Sequence, residues 1–362
     1  MGPGLCRDDD ESAGNEARNA LLRGHDFYLD RRINAAIKSY RDALKLGLDP
    51  EQGVQERWMT FMLAGDFESA WRESDRVIAR RNQRRDSCAD LPFHLRWVWD
   101  GSDLTGKAVL VRCYHGLGDV IQFIRYVPLL KRVARQVIVQ APAAIIPLLR
   151  SVPGIDGFAE LSYELPDPPF EADIELMELP QYFRTTLATV PADVPYLEAP
   201  GERTDLTAIS DRLKVGLVWA AGEWRPERSV PLALFAGLAD MENLAICNLQ
   251  RGPALAEVEG SAVGARMLNP EGAPEDILAT AAIIRDLDLV ISVDTMVAHL
   301  AGALGTPVWT LLHFHSDWRW LTDRDDSPWY PTMRLYRQAQ PGEWGAVIAR
   351  VAAELPSFRV AP

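Results

Sequence analysis

From about Asn15 to Arg85 apolar positions recur three and four residues apart, the spacing that lines one face of a helix. The pattern also repeats. Ala36, Tyr40 and Ala43 return 34 residues later as Ala70, Ser74 and Val77, and 34 is the period of the tetratricopeptide helix pair. Gly65-Asp66-Phe67-Glu68-Ser69-Ala70 has the small turn and helix start of such a unit. Small alanines let paired helices approach closely, and the aromatic ring fills the space between them. Two loose units are fewer than a free-standing solenoid needs, so they are expected to lean on the next domain or to cap a truncated array. An unrelated helical hairpin is the alternative. Residues 1–14, polar and glycine-rich, read as a disordered tail ahead of a helical region at 15–90.

Beyond an ordered linker from Leu91 to Asp103 the period changes to alternating strand and helix. Lys107–Tyr114 reads as a strand, Asp119–Ala134 as a helix, Gln136–Gln140 as a strand and Ala143–Leu149 as a helix. Weaker strands follow near Gly157–Ala159 and Ala172–Met177, and a proline-rich connection runs from Pro191 to Pro200. The alternation then restarts with strands at Lys214–Ala220, Leu244–Leu249, Leu289–Val293 and Val308–Leu312. Its helices are expected at Leu232–Ala239, Pro274–Arg285, Thr295–Leu304 and Trp344–Leu355. Such alternation implies mostly parallel sheets covered on both faces. The chain is therefore expected to be α/β, with two Rossmann-like domains at 91–200 and 201–362. Ligands of such sheets bind beyond the carboxyl ends of the strands, so chemistry is sought in the loops that leave them.

Composition narrows the function. Lysine and arginine number 38 against 51 aspartates and glutamates, a formal charge of −13. So acidic a chain repels polyanions, which argues against nucleic acid and anionic membranes as general partners. Any anion site must be local. Cys6, Cys88, Cys113 and Cys247 are far apart and no histidine stands at zinc-ligand spacing, so reduced thiols and no metal are expected. The N-terminus has no apolar leader core, which with the cysteines points to the cytoplasm. Thr295–Ser316 carries no charged residue, but Gly305-Thr306-Pro307 at its middle would break a spanning helix; a helix, a turn and a buried strand fit it better.

Three loops concentrate candidate chemistry. In Tyr114-His115-Gly116-Leu117-Gly118-Asp119, Gly116 and Gly118 permit a tight turn with close backbone approach, and Asp119 stands either as a helix cap or as a general base. The third glycine of a dinucleotide fingerprint is missing. In Val293-Asp294-Thr295-Met296-Val297-Ala298-His299 a carboxylate, a hydroxyl, a helix start and an imidazole converge at a strand end, a set suited to sugar hydroxyls beside a phosphate. A plain cap with a buried histidine is the other reading. In Ala220-Ala221-Gly222-Glu223-Trp224-Arg225-Pro226-Glu227-Arg228-Ser229 the arginines suit a phosphate clamp, or a solvated loop paired with its own glutamates. Further on, Asp323 and Asp325 form a D-x-D, expected to be an ion-pair loop rather than a metal site.

The ordered set Gly118-Asp119-Val120-Ile121-Gln122-Phe123 with Arg125-Tyr126, Asp294-Thr295 through His299-Leu300-Ala301-Gly302-Ala303-Leu304-Gly305, and Asp317-Trp318-Arg319-Trp320 resembles glycosyltransferase family 9. The resemblance runs from about Trp97 to Leu355 and is nearest to the tetratricopeptide-linked bacterial members related to lipopolysaccharide heptosyltransferases. It implies a GT-B fold and inverting, metal-independent transfer from a nucleotide-diphospho-sugar, ADP-heptose first, to a glycan or protein acceptor, with no cofactor. By the same resemblance Asp119 is the base. Arg228, Ser229, Asp294, Thr295 and His299 hold the donor, Gln250 with Arg251 and Gly252 faces its nucleoside, and Gly116, Gly118, Ala220, Gly222 and Met296 shape the phosphate turns. The helical repeats offer a surface to a protein partner. Two departures stand out. Tyr114-His115 replaces the usual E-Q, and Met296 replaces a small residue. They keep open an idle scaffold of the same fold, and a sugar-nucleotide epimerase is a further alternative.

Overall fold

The computed structural model describes residues 7–84, 91–93, 96, 98–201, 204–209, 211–222, 225–269 and 276–359, with side chains from Gly14 onward. Two compact units result. One comprises Met1–Ser87, Gln181–Val190 and His315–Asp323; the other comprises Cys88–Pro180, Pro191–Phe314 and Arg324–Pro362.

The first unit is all-helical at its core: α1 (Arg7–Leu29), α2 (Ile33–Lys45), α3 (Val54–Leu63) and α4 (Phe67–Arg84). The starts of α2 and α4 lie one repeat period apart. Ala36, Tyr40, Ala43 and Ala70 are fully buried, whereas Ser74 and Val77 are only half-buried, so the repeat fades toward its end. Gly24 of α1 makes room for the Tyr40 ring, since a Cβ there would lie 2.4 Å from Cε1. Gly65 turns the chain at φ +75°, and Asp66 caps α4 by accepting the Ser69 N–H at 3.2 Å. The helix α1 begins at Arg7, inside the stretch expected as a tail. Two later stretches of chain complete the unit: Trp71 Nε1 donates to the Thr185 carbonyl at 2.7 Å, Asp75 pairs with Arg184 at 2.8 Å, and Trp58 meets Trp318 edge to face at 5.6 Å.

The second unit holds two parallel sheets. β1 (Ala108–Arg112), α5 (Leu117–Phe123), α6 (Val127–Lys131), β2 (Gln136–Ala141), α7 (Ile146–Leu149), β3 (Gly157–Glu160), β4 (Ala172–Glu175) and α8 (Leu179–Tyr182) come first. Then follow β5 (Leu213–Val218), α9 (Ala236–Ala239), β6 (Leu244–Asn248), α10 (Ile277–Arg285), β7 (Leu289–Val293), α11 (Met296–Ala303), β8 (Val308–Leu312), β9 (Met333–Arg337) and α12 (Trp344–Glu354). Their orders are β3-β2-β1-β4 and β6-β5-β7-β8-β9. Leu110 pairs with Ile138 and Asp173, Leu217 with Asn248 and Ile291. The α/β architecture expected for the GT-B pattern, two Rossmann-like sheets after an all-α region, is the one observed. The strands β1, β6, β7 and β8 are buried at every position, which is why they read as unbroken apolar runs.

The long helix expected from Asp119 to Ala134 is broken by a 3-10 turn at Ile124–Tyr126, because Pro128 at the start of α6 has no N–H to continue it. The edge strand β9 was not anticipated; its short, arginine-bearing sequence gives little strand signal. Thr295–Ser316 forms α11, a turn at Gly305 and β8, as expected. Among the described residues no helix is long and apolar enough to cross a membrane. Each sheet reverses its winding once, between β1 and β4 and between β5 and β7. A crevice opens at such switch points, and the three candidate loops leave β1, β5 and β7.

Candidate active site

The loop after β1 turns at Gly116 into α5. Asp119, in the first turn, reaches back so that Oδ2 accepts the Gly116 N–H at 3.1 Å. The capping geometry is therefore present, and the carboxylate is half-buried. Gly118 lies against α11: a Cβ there would sit 3.1 Å from Cδ2 of His299 and 3.5 Å from Cα of Met296. The loop of the first sheet thus touches the helix that follows β7 in the second. A Cβ at position 118 would press on the buried His299 ring, which would have to give by a few tenths of an ångström.

Across the contact, Thr295 is the N-cap of α11 in extended conformation, yet its side chain makes no cap bond to the helix. Ser292 Oγ donates to the Val293 carbonyl at 2.7 Å, so the Thr295 hydroxyl, 3.1 Å away, donates to Ser292. His299 is buried, and its Nδ1 lies 2.9 Å from the Tyr330 hydroxyl. Arg228 Nη1 donates to the Asp294 carbonyl at 3.1 Å and lies 4.0 Å from its Oδ2. Asp294 and Arg228 are therefore brought together, anchoring the β5 loop to the end of β7. Arg225, by contrast, is exposed with Glu227 at 4.0 Å, the solvated-loop alternative; Glu223 and Trp224 lie outside the described residues.

Two expected donor residues hold the loops. Ser229 Oγ accepts the Ala221 N–H at 3.0 Å. Gln250 Oε1 accepts the Trp219 and Ala220 N–H groups at 3.1 and 2.8 Å, while Nε2 donates to the Ala220 and Arg251 carbonyls at 3.1 and 2.7 Å. The carboxamide is thus fully engaged with backbone, and its effect on a ligand would pass through loop shape. A cavity of about 600 Å³ opens between these loops, with Ala220, Gly222, Ser229, Gln250, Thr295 and Met296 in its wall. Pro226 and Glu257 join them, neither singled out from the sequence. Gly116, Gly118, Asp119, Arg228, Asp294 and His299 are outside that wall; Gly118 abuts Met296, and Arg228 and Asp294 immediately precede Ser229 and Thr295.

The departures acquire structural roles. Tyr114 is buried and stacks on Phe93 at 5.0 Å, which stacks in turn on Tyr163 at 3.9 Å. His115 faces Glu175 at 3.7 Å. Arg112, at the end of β1, is held by Asp167 and Asp173, each at 2.7 Å. Burial pushes the Asp173 carboxyl up, while the hydrogen bond from Arg112 pulls Asp167 down. Asp325 of the D-x-D pairs with Arg350 at 2.7 Å, and no cluster of metal-ligating side chains occurs among the described residues. Cys113 and Cys247 are free thiols, pushed up by burial and unsuited to nucleophilic chemistry; Cys6 and Cys88 lie outside the described residues.

Two parallel sheets, the second with a cavity of about 600 Å³ at the carboxyl ends of its strands, define an α/β protein of the class that takes ligands there. Residues 273–350, covering α10 through most of α12, match the model of glycosyltransferase family 9 (heptosyltransferase), so the resemblance read from the loops holds over that stretch. Protein FlbA of Caulobacter vibrioides is 27% identical over 365 residues, 90% of this chain and 59% of that protein. The chain thus spans 59% of the length of this curated relative. Among solved structures, the ADP-heptose lps heptosyltransferase II of E. coli is 14% identical over 69% of this chain and 98% of that one, TM-score 0.48. The family 9 glycosyl transferase of Veillonella parvula is 13% identical over 69% and 92%, TM-score 0.47.

Proposed function

We propose that the chain is an inverting glycosyltransferase that moves a sugar from a nucleotide-diphospho-sugar to an acceptor hydroxyl on a glycan or a protein, without a metal or cofactor. The family description makes heptose the first sugar to test, with ADP the carrier that the resemblance implies. The observation that carries the reading is the contact of Gly118 with Met296 and His299, beside a cavity whose wall includes Thr295 and Met296. Its volume, about 600 Å³, suits a nucleotide.

In this reading Asp119 takes the proton of the acceptor hydroxyl. The oxygen attacks the anomeric carbon from the face opposite the diphosphate, the bond to the phosphate oxygen breaks, and the nucleoside diphosphate leaves. Arg228 and the N-terminus of α11 stabilise the departing charge. Gln250 and Ser229 keep the β5 loop in shape, and Asp294 holds Arg228. The helical unit is the surface for a protein acceptor or partner, and the cytoplasm, where sugar nucleotides are made, is the expected compartment.

The test is transfer from ADP-heptose together with ADP titration. Asp119→Asn should lower transfer by roughly 10²–10⁴-fold while ADP affinity stays within about twofold. Arg228→Ala should weaken ADP by roughly tenfold or more, the scale of a lost charged hydrogen bond. Equal loss of ADP affinity in both variants would remove Asp119 from the base role. Failure of the wild type to bind any nucleotide or sugar nucleotide would remove the transfer reading altogether.

A further inference from the structure

Behind His299 is a buried cluster with no part in the scheme above. Tyr330 is fully buried, and its hydroxyl lies 2.9 Å from His299 Nδ1. The Tyr330 ring occupies space that Gly302, one turn after His299 on α11, leaves open; a Cβ there would lie 2.5 Å from Cδ1 of the ring. A side chain at position 302 would push the hydroxyl away from the imidazole.

Against the same ring lies Arg125, its guanidinium carbon 4.5 Å from the Tyr330 centroid and 4.2 Å from that of Tyr196. Arg125 is 4% exposed and has little freedom. It donates to the carbonyls of Gln122 at 2.8 Å, Pro191 at 3.1 Å and Trp329, and to the Tyr196 hydroxyl at 2.7 Å. Tyr196 in turn donates to the Ile121 carbonyl at 2.9 Å. One fixed cation thereby ties α5, the 191–200 connection and the Trp329-Tyr330 segment together behind the imidazole.

A hydrogen bond between a phenol and a neutral imidazole can run in either direction, and the direction decides which ring nitrogen bears the proton. A cation beside the phenol favours negative charge on its oxygen. That strengthens the O–H as a donor and weakens the oxygen as an acceptor. We propose that Tyr330, held by Arg125 and admitted by Gly302, donates to His299 Nδ1 and fixes the imidazole as the tautomer protonated on Nε2. The edge that carries this proton is the one turned to the first sheet, with Cδ2 and Nε2 at 3.1 and 3.8 Å from the Cβ position of Gly118. His299 is then a hydrogen-bond donor at the meeting of the two loops, and Tyr330 is its positioning residue. This rests on the transfer reading only for what His299 donates to; the tautomer itself does not.

The test is nitrogen-15 NMR of the imidazole in the full chain without ligand, with His299→Gln to assign its signals. Wild type should show neutral His299 protonated on Nε2. Tyr330→Phe keeps the ring and its packing on Arg125 but removes the hydroxyl, and Gly302→Ala displaces the ring. Both should give a mixture of tautomers, with unchanged far-ultraviolet circular dichroism as the check on folding. Transfer from ADP-heptose should fall about tenfold in Tyr330→Phe, the scale of one hydrogen bond. Wild-type His299 protonated on Nδ1, or Tyr330→Phe with an unaltered tautomer, would overturn the proposal and leave the transfer scheme standing. The expected tautomers together with a wild type that binds no sugar nucleotide would overturn the transfer scheme and leave the tautomer assignment standing.

Discussion

Gln250 offers the most direct check on how the second sheet builds its cavity. Its carboxamide is 4% exposed and makes four hydrogen bonds to backbone: two N–H groups of the β5 loop and the carbonyls of Ala220 and Arg251. Replacing it by methionine keeps the volume and removes all four bonds. The carbonyls can turn toward the open cavity and water, but the N–H of Trp219, a fully buried residue, has nowhere to go. An orphaned buried donor costs about 1–3 kcal/mol, so with the Ala220 N–H partly rehydrated the expected loss is about 2–4 kcal/mol. Gln250→Ala should lose a further ~1–2 kcal/mol through the space left behind. Urea unfolding followed by circular dichroism reads both, as a fall in midpoint at constant slope. Because residues 220–222 line the cavity, slackening this loop should also weaken ADP binding in both variants. A methionine variant within 0.5 kcal/mol of wild type would refute the reasoning, since the bonds would then carry no net stability.

Two further perturbations address the helical unit. Arg57 is wholly buried and binds Glu73 through two contacts, at 3.1 and 2.8 Å, as well as the carbonyls of Gln52 and Pro50. Glu73→Ala should therefore cost about 3–5 kcal/mol in thermal or urea unfolding, because it strands a buried guanidinium; Arg57→Met with Glu73→Leu should recover most of it, and failure to recover would mean that packing rather than charge is at stake. Burial pushes the Tyr40 hydroxyl up from 10.0 to about 12. The folded state thus keeps a proton that the unfolded chain releases above about pH 10, so this contribution is complete below pH 10 and fades as the pH rises toward 12. Melting curves across that range should fall more steeply for wild type than for Tyr40→Phe, and parallel curves would count against the assignment.

Much of the framework is legible in the sequence because it rests on local spacing. Strands β7 and β8 coincide with their expected limits, since five buried positions in a row leave an unbroken apolar run. The repeat at Ala36 and Ala70 is visible because close helix packing at both positions requires a small side chain. Elements with weaker local signals differ. The helix after Asp119 breaks at Ile124–Tyr126, just ahead of Pro128, and β9 is hidden by its arginines and its edge position. In the site, residue types and strand-end positions placed Asp119, Arg228, Asp294, Thr295 and His299 in candidate loops. Which of their atoms are already engaged was not legible, because that depends on partners far along the chain.

The sequence by itself determined two sheets of alternating strands and helices, a helical region ahead of them, and three loops in which polar and small residues gather at strand ends. Hydrophobic period and turn chemistry are local properties, so they survive without the fold. Only the tertiary structure decided that two stretches, at 181–190 and 315–323, complete the helical unit. It also engaged the Gln250 carboxamide with a neighbouring loop, and brought Gly118 against His299 and Tyr330 behind it. Those contacts join residues from 30 to some 180 positions apart. Their geometry comes from packing one element on another, and no spacing rule along the chain encodes it.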